Sequence, residues 1–237
     1  MNRIVTMVLK NLFILPGAWW KLCRYARHPE KYPELTMYRH IQYILKRAVK
    51  GGNVTLQVTG LENIPTEGGF LLYGNHQGLF DVLAVAATCD QPLGAVLKKE
   101  LKDVPLIKQI CSCTKSFPMD REDVRQSLTV IQNVTREVTE GRNYLIFPEG
   151  TRSKSENEML EFHHGSFRCA VRSKCPVIPI ALVDSFKVLD RKGSKPVTVQ
   201  IHYLPPIYYE EYKEMNTKDL ALLVHNRIEE KVKSCLT

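Results

Sequence analysis

The stretch from Phe70 to Asp81, which reads FLLYGNHQGLFD, decides the fold class. Its first four residues are apolar and follow Gly68-Gly69, as expected of a buried strand. Gly74 is expected to end this strand, and the apolar run over residues 80–88 is typical of a helix. A buried strand joined to a helix by a short polar turn is the repeating unit of an α/β protein.

Strands and amphipathic helices alternate on both sides of this stretch. Strands are predicted at residues 54–58, 93–97, 143–147, 177–182 and 197–201, and helices at residues 35–50, 105–112, 121–140 and 217–234. Pro179 has no N–H to donate, so its strand is expected near a sheet edge. Gly51-Gly52 marks a boundary between a helical segment, residues 1–50, and a domain, residues 51–237, whose core motifs lie within residues 70–185.

The helix predicted at residues 121–140 carries signals at both ends. Asp120 is the expected N-cap, Asp123 stands near the capping-box position, and Gly141 follows the last helical residue. Arg121 would then stand at the start of the helix, where free N–H groups attract anions. The alternative is an ordinary exposed arginine that pairs with Asp123 or another neighbour.

The chain has 237 residues, which is enough for one domain with an appendage, and a formal charge of +8 with a pI of about 9.1. This positive excess suggests an anionic partner: nucleic acid, a membrane surface or a phosphorylated substrate. No common nucleic-acid motif is present in the sequence, so nucleic acid is not predicted as a partner. The seven cysteines favour reduced thiols in a cytosolic compartment.

The first fifty residues combine apolar, basic and aromatic side chains. Arg3, Thr6 and Lys10 form a narrow polar stripe at helical spacing, with apolar residues on the other side. Pro16-Gly17 is expected to end this helix too early for a membrane span. Side chains that suit the lipid headgroup layer follow, namely Trp19, Trp20, Lys21, Arg24 and Tyr25. Residues 1–50 are predicted to form a monotopic anchor on an anionic bilayer, with helices packed on the domain or docked in a homodimer as alternatives.

His76 and Asp81 are five residues apart, which does not make them neighbours on a regular helix. They can meet if His76 lies on the turn and Asp81 in the first turn of the following helix, with Gly78 supplying the bend. A carboxylate on one imidazole nitrogen would leave the other nitrogen free to accept a proton, as in a general base. Taken alone, the pair also fits a helix-capping aspartate and a histidine in a polar turn.

A second turn, which reads FPEGTRS over residues 147–153, follows another predicted buried strand. Open α/β sheets place their sites at the carboxyl ends of strands. Gly150 would let the backbone approach a ligand, Thr151 offers a hydroxyl, and Arg152 offers a planar fork for phosphate. Glu149 is expected to hold Arg152 or the local backbone, because a carboxylate repels phosphate. The alternative is a surface turn with an arginine–glutamate pair.

Lys98, in the run KKEL at residues 98–101, is a weaker cationic candidate, because lysines at a strand end often serve only solubility. The sequence contains no G-x-S-x-G elbow and no glycine-rich nucleotide fingerprint, which disfavours serine hydrolysis and nucleotide binding of those kinds. His163-His164 is a poor metal pair because adjacent side chains point apart, so no metal site is predicted.

The N-H-x4-D and F-P-E-G-T-R-S stretches resemble the first and third signature blocks of the glycerolipid acyltransferase family, of the 1-acyl-sn-glycerol-3-phosphate (lysophosphatidic acid) acyltransferase type. The other blocks match in the expected order: the lysine-rich step at residues 98–101, the second block at residues 117–121 and the apolar fourth block at residues 177–180. The resemblance covers about residues 54–205. It implies a mixed central β-sheet flanked by helices, preceded by an N-terminal helical membrane-docking motif.

The resemblance also implies a reaction. His76 would be the general base on the acceptor hydroxyl, and Asp81 would orient it. The acceptor would be lysophosphatidic acid, the donor acyl-CoA or acyl carrier protein, and the product phosphatidic acid. Neither a metal nor another cofactor is expected. The enzyme would bind membrane lipids peripherally at the cytoplasmic face, and a homodimer through the N-terminal helices is a further expectation.

The remaining matched residues would bind the acceptor. Arg121 and Arg152 would grip its phosphate, with Lys98 as a helper. Glu149 and Gly150, beside Thr151, would shape the acceptor and oxyanion region.

One position departs from the family pattern F-K-x-G. The chain reads FHHG at residues 162–165, which places His163 where lysine is usual. If that lysine contacts phosphate or donor, the acceptor could instead be glycerol 3-phosphate or another lysophospholipid. A non-catalytic lipid-binding protein is the third alternative, although the intact motif residues argue against it.

Overall fold

A computed structural model describes residues 2–236. Its α-helices are α1 (Arg3–Leu9), α2 (Leu15–Arg27), α3 (Glu34–Gly51), α4 (Asp81–Thr88), α5 (Ile107–Thr114), α6 (Val124–Thr139), α7 (Arg168–Ser173), α8 (Phe186–Leu189), α9 (Tyr209–Tyr212) and α10 (Thr217–Leu236). Its strands are β1 (Val54–Thr59), β2 (Leu71–Gly74), β3 (Leu93–Lys98), β4 (Phe117–Met119), β5 (Asn143–Ile146), β6 (Val177–Val183) and β7 (Val197–Tyr203).

The seven strands form one mixed sheet in the order β1-β7-β6-β2-β5-β3-β4. The strands from β6 to β4 are parallel, β7 is antiparallel to β6, and β1 is parallel to β7. Alternate residues of β2 point to opposite faces: Leu71 and Tyr73 pack with α6, α7 and α10, whereas Leu72 packs with α4. The predicted fold class, a mixed central sheet flanked by helices, is confirmed.

Strand β6 lies inside the sheet, between β7 and β2, so the expectation of an edge position was wrong. The β6–β7 ladder begins at Ile180, opposite Tyr203, one residue after Pro179. The Pro179 carbonyl still accepts a hydrogen bond from the N–H of Leu204 at 2.9 Å. The missing proline N–H therefore falls where β7 ends, and it costs no bond within that ladder.

The start of α6 also differs from the prediction. The helix begins at Val124 with Asp123 as its N-cap, and Oδ1 of Asp123 accepts from the N–H groups of Arg125 and Gln126 at 2.9 and 3.0 Å. The Asp120 side chain is bound elsewhere, because Lys99 pairs with it. Arg121 therefore lies before the helix rather than at its start.

Two helices, α1 and α2, precede α3 in the N-terminal segment. Pro16 stands in the first turn of α2, where its missing N–H is tolerated, so the expectation that it ends a helix was wrong. In α1 the polar residues Arg3 and Thr6 are buried, packed toward α3 and α8. The apolar side chains of this region are exposed instead: Ile4, Val5, Val8, Leu9, Leu12, Phe13, Trp19 and Trp20. Over residues 2–236, no helix combines the length and the apolar character that crossing a bilayer would require.

Candidate active site

Five neighbouring parallel strands, β6, β2, β5, β3 and β4, end at one edge of the sheet. Each strand carries a polar or charged residue at or just beyond its carboxyl end, in that order Ser185, His76, Glu149, Lys98 and Arg121. Motifs that are far apart in the sequence therefore face the same edge, which is where ligands bind in open α/β sheets.

His76 and Asp81 meet as expected. Nδ1 of His76 lies 2.7 Å from Oδ2 of Asp81, with His76 on the turn after β2 and Asp81 as the first residue of α4. The Asp81 side chain is fully buried, and the His76 side chain is 16% exposed. The carboxylate thus holds one imidazole nitrogen, and the other nitrogen stays available to a ligand.

The Asp81 carboxylate is also held by the turn itself. Its Oδ2 accepts from the backbone N–H groups of Gln77 and Gly78 at 2.7 and 2.9 Å, and its Oδ1 accepts from the Ser185 hydroxyl. Gln77 Oε1 accepts from the same hydroxyl at 3.2 Å. Several donors on one carboxylate fix its position.

The imidazole ring of His76 stacks on the ring of Phe147, with centroids 4.4 Å apart and planes 18° from parallel. Phe147 opens the second turn, so this contact joins the two motifs. The backbone joins them as well, because the N–H of Ser153 donates to the His76 carbonyl at 2.8 Å. Ring stacking and the bond to Asp81 together leave the imidazole little freedom to rotate.

The Glu149 carboxylate holds the turn that carries His76 through a backbone hydrogen bond. Its Oε1 accepts a hydrogen bond from the His76 backbone N–H at 2.9 Å, while its Oε2 is buried without a hydrogen-bond partner among the described residues. Burial raises the pKa of Glu149 to about 7, and the bond from the His76 N–H opposes that rise. Glu149 therefore holds the local backbone, one of its two expected roles, and it does not pair with Arg152.

Gly150 adopts a left-handed conformation, with φ of +69°, in which a side chain would be strained. A Cβ at this position would also come within 2.9 Å of the His163 ring, so the position has no room for one. The Gly150 N–H donates to the Phe147 carbonyl at 3.2 Å within the turn. Glycine thus lets the turn close and lets His163 approach it.

A cavity of about 410 Å³, the apolar cavity, opens beside this turn. Its lining is mostly apolar and includes Val96, Met119, Val124, Leu128, Ile131, Ile146 and Phe147. Glu149, Gly150 and Thr151 belong to its wall, and Arg121, His163 and Arg168 add basic groups. An apolar cavity with basic side chains suits an amphiphile that carries an anionic group.

A second cavity of about 390 Å³, the polar cavity, lies on the other side of Thr151, which lines both. Arg152 lines this one, and its Nη1 pairs with Oδ1 of Asp190 at 2.5 Å. The structure therefore does not bring Arg152 and Arg121 into one cavity. Lys98 lines neither cavity, and its Nζ pairs with Glu100 at 3.1 Å.

The sequence profile of the family described as Acyltransferase matches residues 55–183, which is more than half of the chain. The matched region includes β2, β5 and β6 and every site residue predicted from the sequence, and it ends two residues before Ser185.

The chain belongs to the acyltransferase family.

Relatives of this acyltransferase carry a more specific name. A 1-acyl-sn-glycerol-3-phosphate acyltransferase of Helicobacter pylori is 27% identical over 67% of this chain and 71% of its own. Proteins with the same name in Borreliella burgdorferi and Cocos nucifera are 25% and 23% identical, over 76% and 95% of this chain and 73% and 70% of their own.

A solved structure shows the same fold. The crystal structure of the 1-acyl-sn-glycerophosphate acyltransferase PlsC from Thermotoga maritima superposes with a TM-score of 0.82 at 20% identity. The superposition covers 99% of this chain and 97% of the other. This acyltransferase therefore shares its fold with that protein over nearly the whole chain.

The sequence analysis did not identify Ser185 or Arg168. Ser185 follows the apolar fourth block, and a polar residue directly after a buried strand was an available signal. Arg168 lies three residues beyond the F-K-x-G position, and nothing in its spacing marked it.

Within residues 2–236, no three His, Cys, Asp or Glu side chains are grouped so that they could hold a metal ion.

Proposed function

We propose that this acyltransferase transfers an acyl group from an acyl thioester to the free hydroxyl of 1-acyl-sn-glycerol 3-phosphate and so forms phosphatidic acid. The observation that carries the proposal is the 2.7 Å contact between His76 and Asp81 beside a cavity that is apolar and basic at once. The names of the relatives support the choice of acceptor.

His76 acts as the general base. Oδ2 of Asp81 accepts a hydrogen bond from Nδ1–H of His76, which leaves Nε2 as the proton acceptor. Nε2 takes the proton of the acceptor hydroxyl as the oxygen attacks the thioester carbonyl. The tetrahedral intermediate then collapses, the carbon–sulfur bond breaks, and the thiolate leaves as the proton returns from His76. General-base action of this kind contributes about 10²–10⁴-fold to the rate.

The acceptor phosphate binds to arginine side chains. Arg121 is placed on the apolar cavity, and Arg152 would have to leave Asp190 to reach the same ligand across Thr151. Lys98 would contribute at most a long-range attraction, because it is exposed and paired with Glu100. Glu149 and Gly150 shape the turn that lies next to the acceptor.

The apolar cavity takes an acyl chain. Each CH₂ that moves from water into an apolar environment contributes about 0.8 kcal/mol, so the depth of this cavity sets a preference for chain length. The donor is acyl-CoA or acyl carrier protein, and the proposal includes no metal or other cofactor.

The exposed side chains of the N-terminal segment support binding of this acyltransferase to a membrane. Exposed Trp19 and Trp20 lie on α2, which also carries Lys21 and Arg24, and exposed Phe13 lies in the turn before α2. This combination suits the headgroup region of an anionic bilayer. The proposal includes peripheral binding to membrane lipids at the cytoplasmic face. The exposed apolar side of α1 then lies against the bilayer or against a second copy of the chain. Residues 1–50 thus act as the anchor, and residues 51–237 as the acyltransferase domain.

A second acceptor is kept because of one observation. His163 lines the apolar cavity at the position where the family usually has lysine. Glycerol 3-phosphate or another lysophospholipid is therefore the alternative acceptor for the same mechanism. A non-catalytic lipid-binding role is the remaining alternative, and the oriented His76–Asp81 pair argues against it.

The test is thiol release from acyl-CoA with each acceptor in turn, combined with identification of the lipid product. Thiol release that depends on lysophosphatidic acid and yields phosphatidic acid is the expected result. His76→Ala should abolish turnover and leave vesicle binding intact, whereas His225→Ala, on α10 and outside both the proposed anchor and the two cavities, should change neither. Full turnover by the purified His76→Ala variant would refute the mechanism, and release only with another acceptor would replace the substrate.

A further inference from the structure

Arg168 is the first residue of α7 and lines the apolar cavity that Arg121 also lines. The two arginines come from different parts of the chain, because Arg121 precedes α6 and Arg168 begins α7. Helices α6 and α7 pack side by side, and this packing brings both arginines to one cavity.

Neither guanidinium is neutralised by a carboxylate. Over residues 2–236, no acidic side chain forms an ion pair with Arg121 or Arg168, whereas Arg152 is paired with Asp190 at 2.5 Å. Glu100 interacts with Arg121 only by electrostatic attraction at longer range. The Glu100 carboxylate itself forms an ion pair with Nζ of Lys98 at 3.1 Å. Two unpaired guanidinium groups beside an apolar cavity attract an anionic group that is joined to an apolar chain.

The same cavity is where the chain departs from its family. His163 replaces the usual lysine there, and a histidine does not supply the permanent positive charge of a lysine. Arg168, five residues later on the same wall, supplies a permanent charge and a planar fork with five donors. Arg168 therefore gives this cavity a permanent positive charge beside that of Arg121.

We infer that Arg168 binds the phosphate of the acceptor together with Arg121 and so determines the preference for a phosphorylated acceptor. The inference rests on the proposed function and adds a residue to it. Arg121 and Arg168 already share a cavity, so a phosphate can reach both without the rearrangement that Arg152 requires. The apolar wall beside them would hold the acyl chain of the same molecule.

The experiment compares steady-state kinetics of the full-length wild type and three variants, Arg168→Ala, Arg168→Lys and Arg172→Ala, with lysophosphatidic acid and acyl-CoA. Arg172 is the matched control, because it lies one turn later on α7, is exposed and does not line the cavity. Arg168→Ala should raise the KM for lysophosphatidic acid about 10- to 100-fold, as expected for the loss of a charged hydrogen-bond donor, with kcat reduced much less.

Two further results complete the test. The KM for acyl-CoA should stay within about twofold of wild type, which locates the effect on the acceptor side. Arg168→Lys should recover part of the loss, because it keeps the charge without the fork, and this also separates a binding defect from misfolding. The inference is overturned if Arg168→Ala and Arg172→Ala give the same acceptor KM, or if the donor KM changes as much. A wild type that forms no phosphatidic acid would instead overturn the proposed function, and this inference with it.

Discussion

The Ser185 hydroxyl donates a hydrogen bond to Oδ1 of the buried Asp81 carboxylate. The two residues are 104 positions apart, and they meet because β6 lies next to β2 in the sheet. Oδ2 of the same carboxylate holds His76. We infer that Ser185 is a positioning residue, which holds Asp81 and, through Asp81, the imidazole of His76.

Replacing Ser185 by alanine should lower kcat about 10- to 100-fold and leave both KM values unchanged. A hydrogen bond to a charged group is worth about 1.5–3 kcal/mol, and its loss lets the carboxylate and the imidazole drift. Ser185→Cys, with a weaker donor of similar size, should give an intermediate kcat. Steady-state kinetics and thermal unfolding check this, with Ser173→Ala on α7 as the control. Equal kcat values for Ser185→Ala and wild type would contradict the positioning role.

The general architecture followed from local patterns. Apolar runs bounded by glycine indicated the strands, and the rule that sites lie at the carboxyl ends of strands indicated a site at the turn that carries Glu149. The His76–Asp81 contact was predictable because it needs only five residues, a bend and the start of a helix.

Other features depended on contacts that a linear pattern does not contain. Asp120 and Asp123 are both good N-caps, and the choice fell to Asp123 because Lys99 binds Asp120. The contact of Ser185 with Asp81 and the separation of Arg152 from Arg121 could not be predicted from the sequence either. Both depend on strand order and ion-pair partners, which are set by the whole fold.

Glu149 should make the stability of the protein depend on pH. Burial raises its pKa from 4.5 to about 7, so the folded protein retains a proton that the unfolded chain releases over that range. Because the folded state then binds more protons, its stability falls as pH rises from about 4.5 to about 7 and is constant above. The total loss attributable to this group is roughly 3 kcal/mol.

The measurement is urea unfolding between pH 4 and pH 8 for wild type and Glu149→Gln. The glutamine variant keeps an oxygen that can accept from the His76 N–H but does not ionise, so the stability difference between the two proteins should change by that amount across the range. Glu210→Gln, at an exposed position paired with Lys213, is the control and should track wild type. Parallel curves for Glu149→Gln and wild type would show that Glu149 does not titrate as stated.

Arg3 should fasten α1 to the domain. Its buried guanidinium donates to the carbonyls of Val188 at 2.9 Å, Gly52 at 2.6 Å and Lys195 at 2.9 Å. Arg3→Met keeps much of the volume but leaves these acceptors without a donor, so the free energy of unfolding should fall by about 3 kcal/mol. Binding to anionic vesicles should weaken too, because the exposed apolar side of α1 is then no longer presented. Urea unfolding and vesicle sedimentation test both effects.

Lys10→Met is the matched control for Arg3→Met. Lys10 caps the same helix with its backbone N–H, but the only hydrogen bond of its side chain among the described residues is an exposed one to Asn53 at 2.7 Å. Its loss should cost about 0.5 kcal/mol or less. If Arg3→Met were no less stable than Lys10→Met, the buried bonds of Arg3 would contribute little.

Asp190 should compete with the acceptor phosphate for Arg152. The ion pair at 2.5 Å is partly exposed and therefore worth about 1 kcal/mol or less, which corresponds to at most a fivefold effect. Asp190→Asn removes the negative charge and keeps an oxygen that can accept from the Leu79 N–H, a bond of 3.0 Å in the wild type. If Arg152 moves onto the phosphate, this variant should lower the acceptor KM by about two- to fivefold, and Arg152→Ala should raise it.

The decisive measurement is the double variant, in which Asp190→Asn should no longer change the acceptor KM. A decrease in KM that persists without Arg152 would mean that Asp190 acts on the acceptor by another route, such as its bond to the catalytic turn.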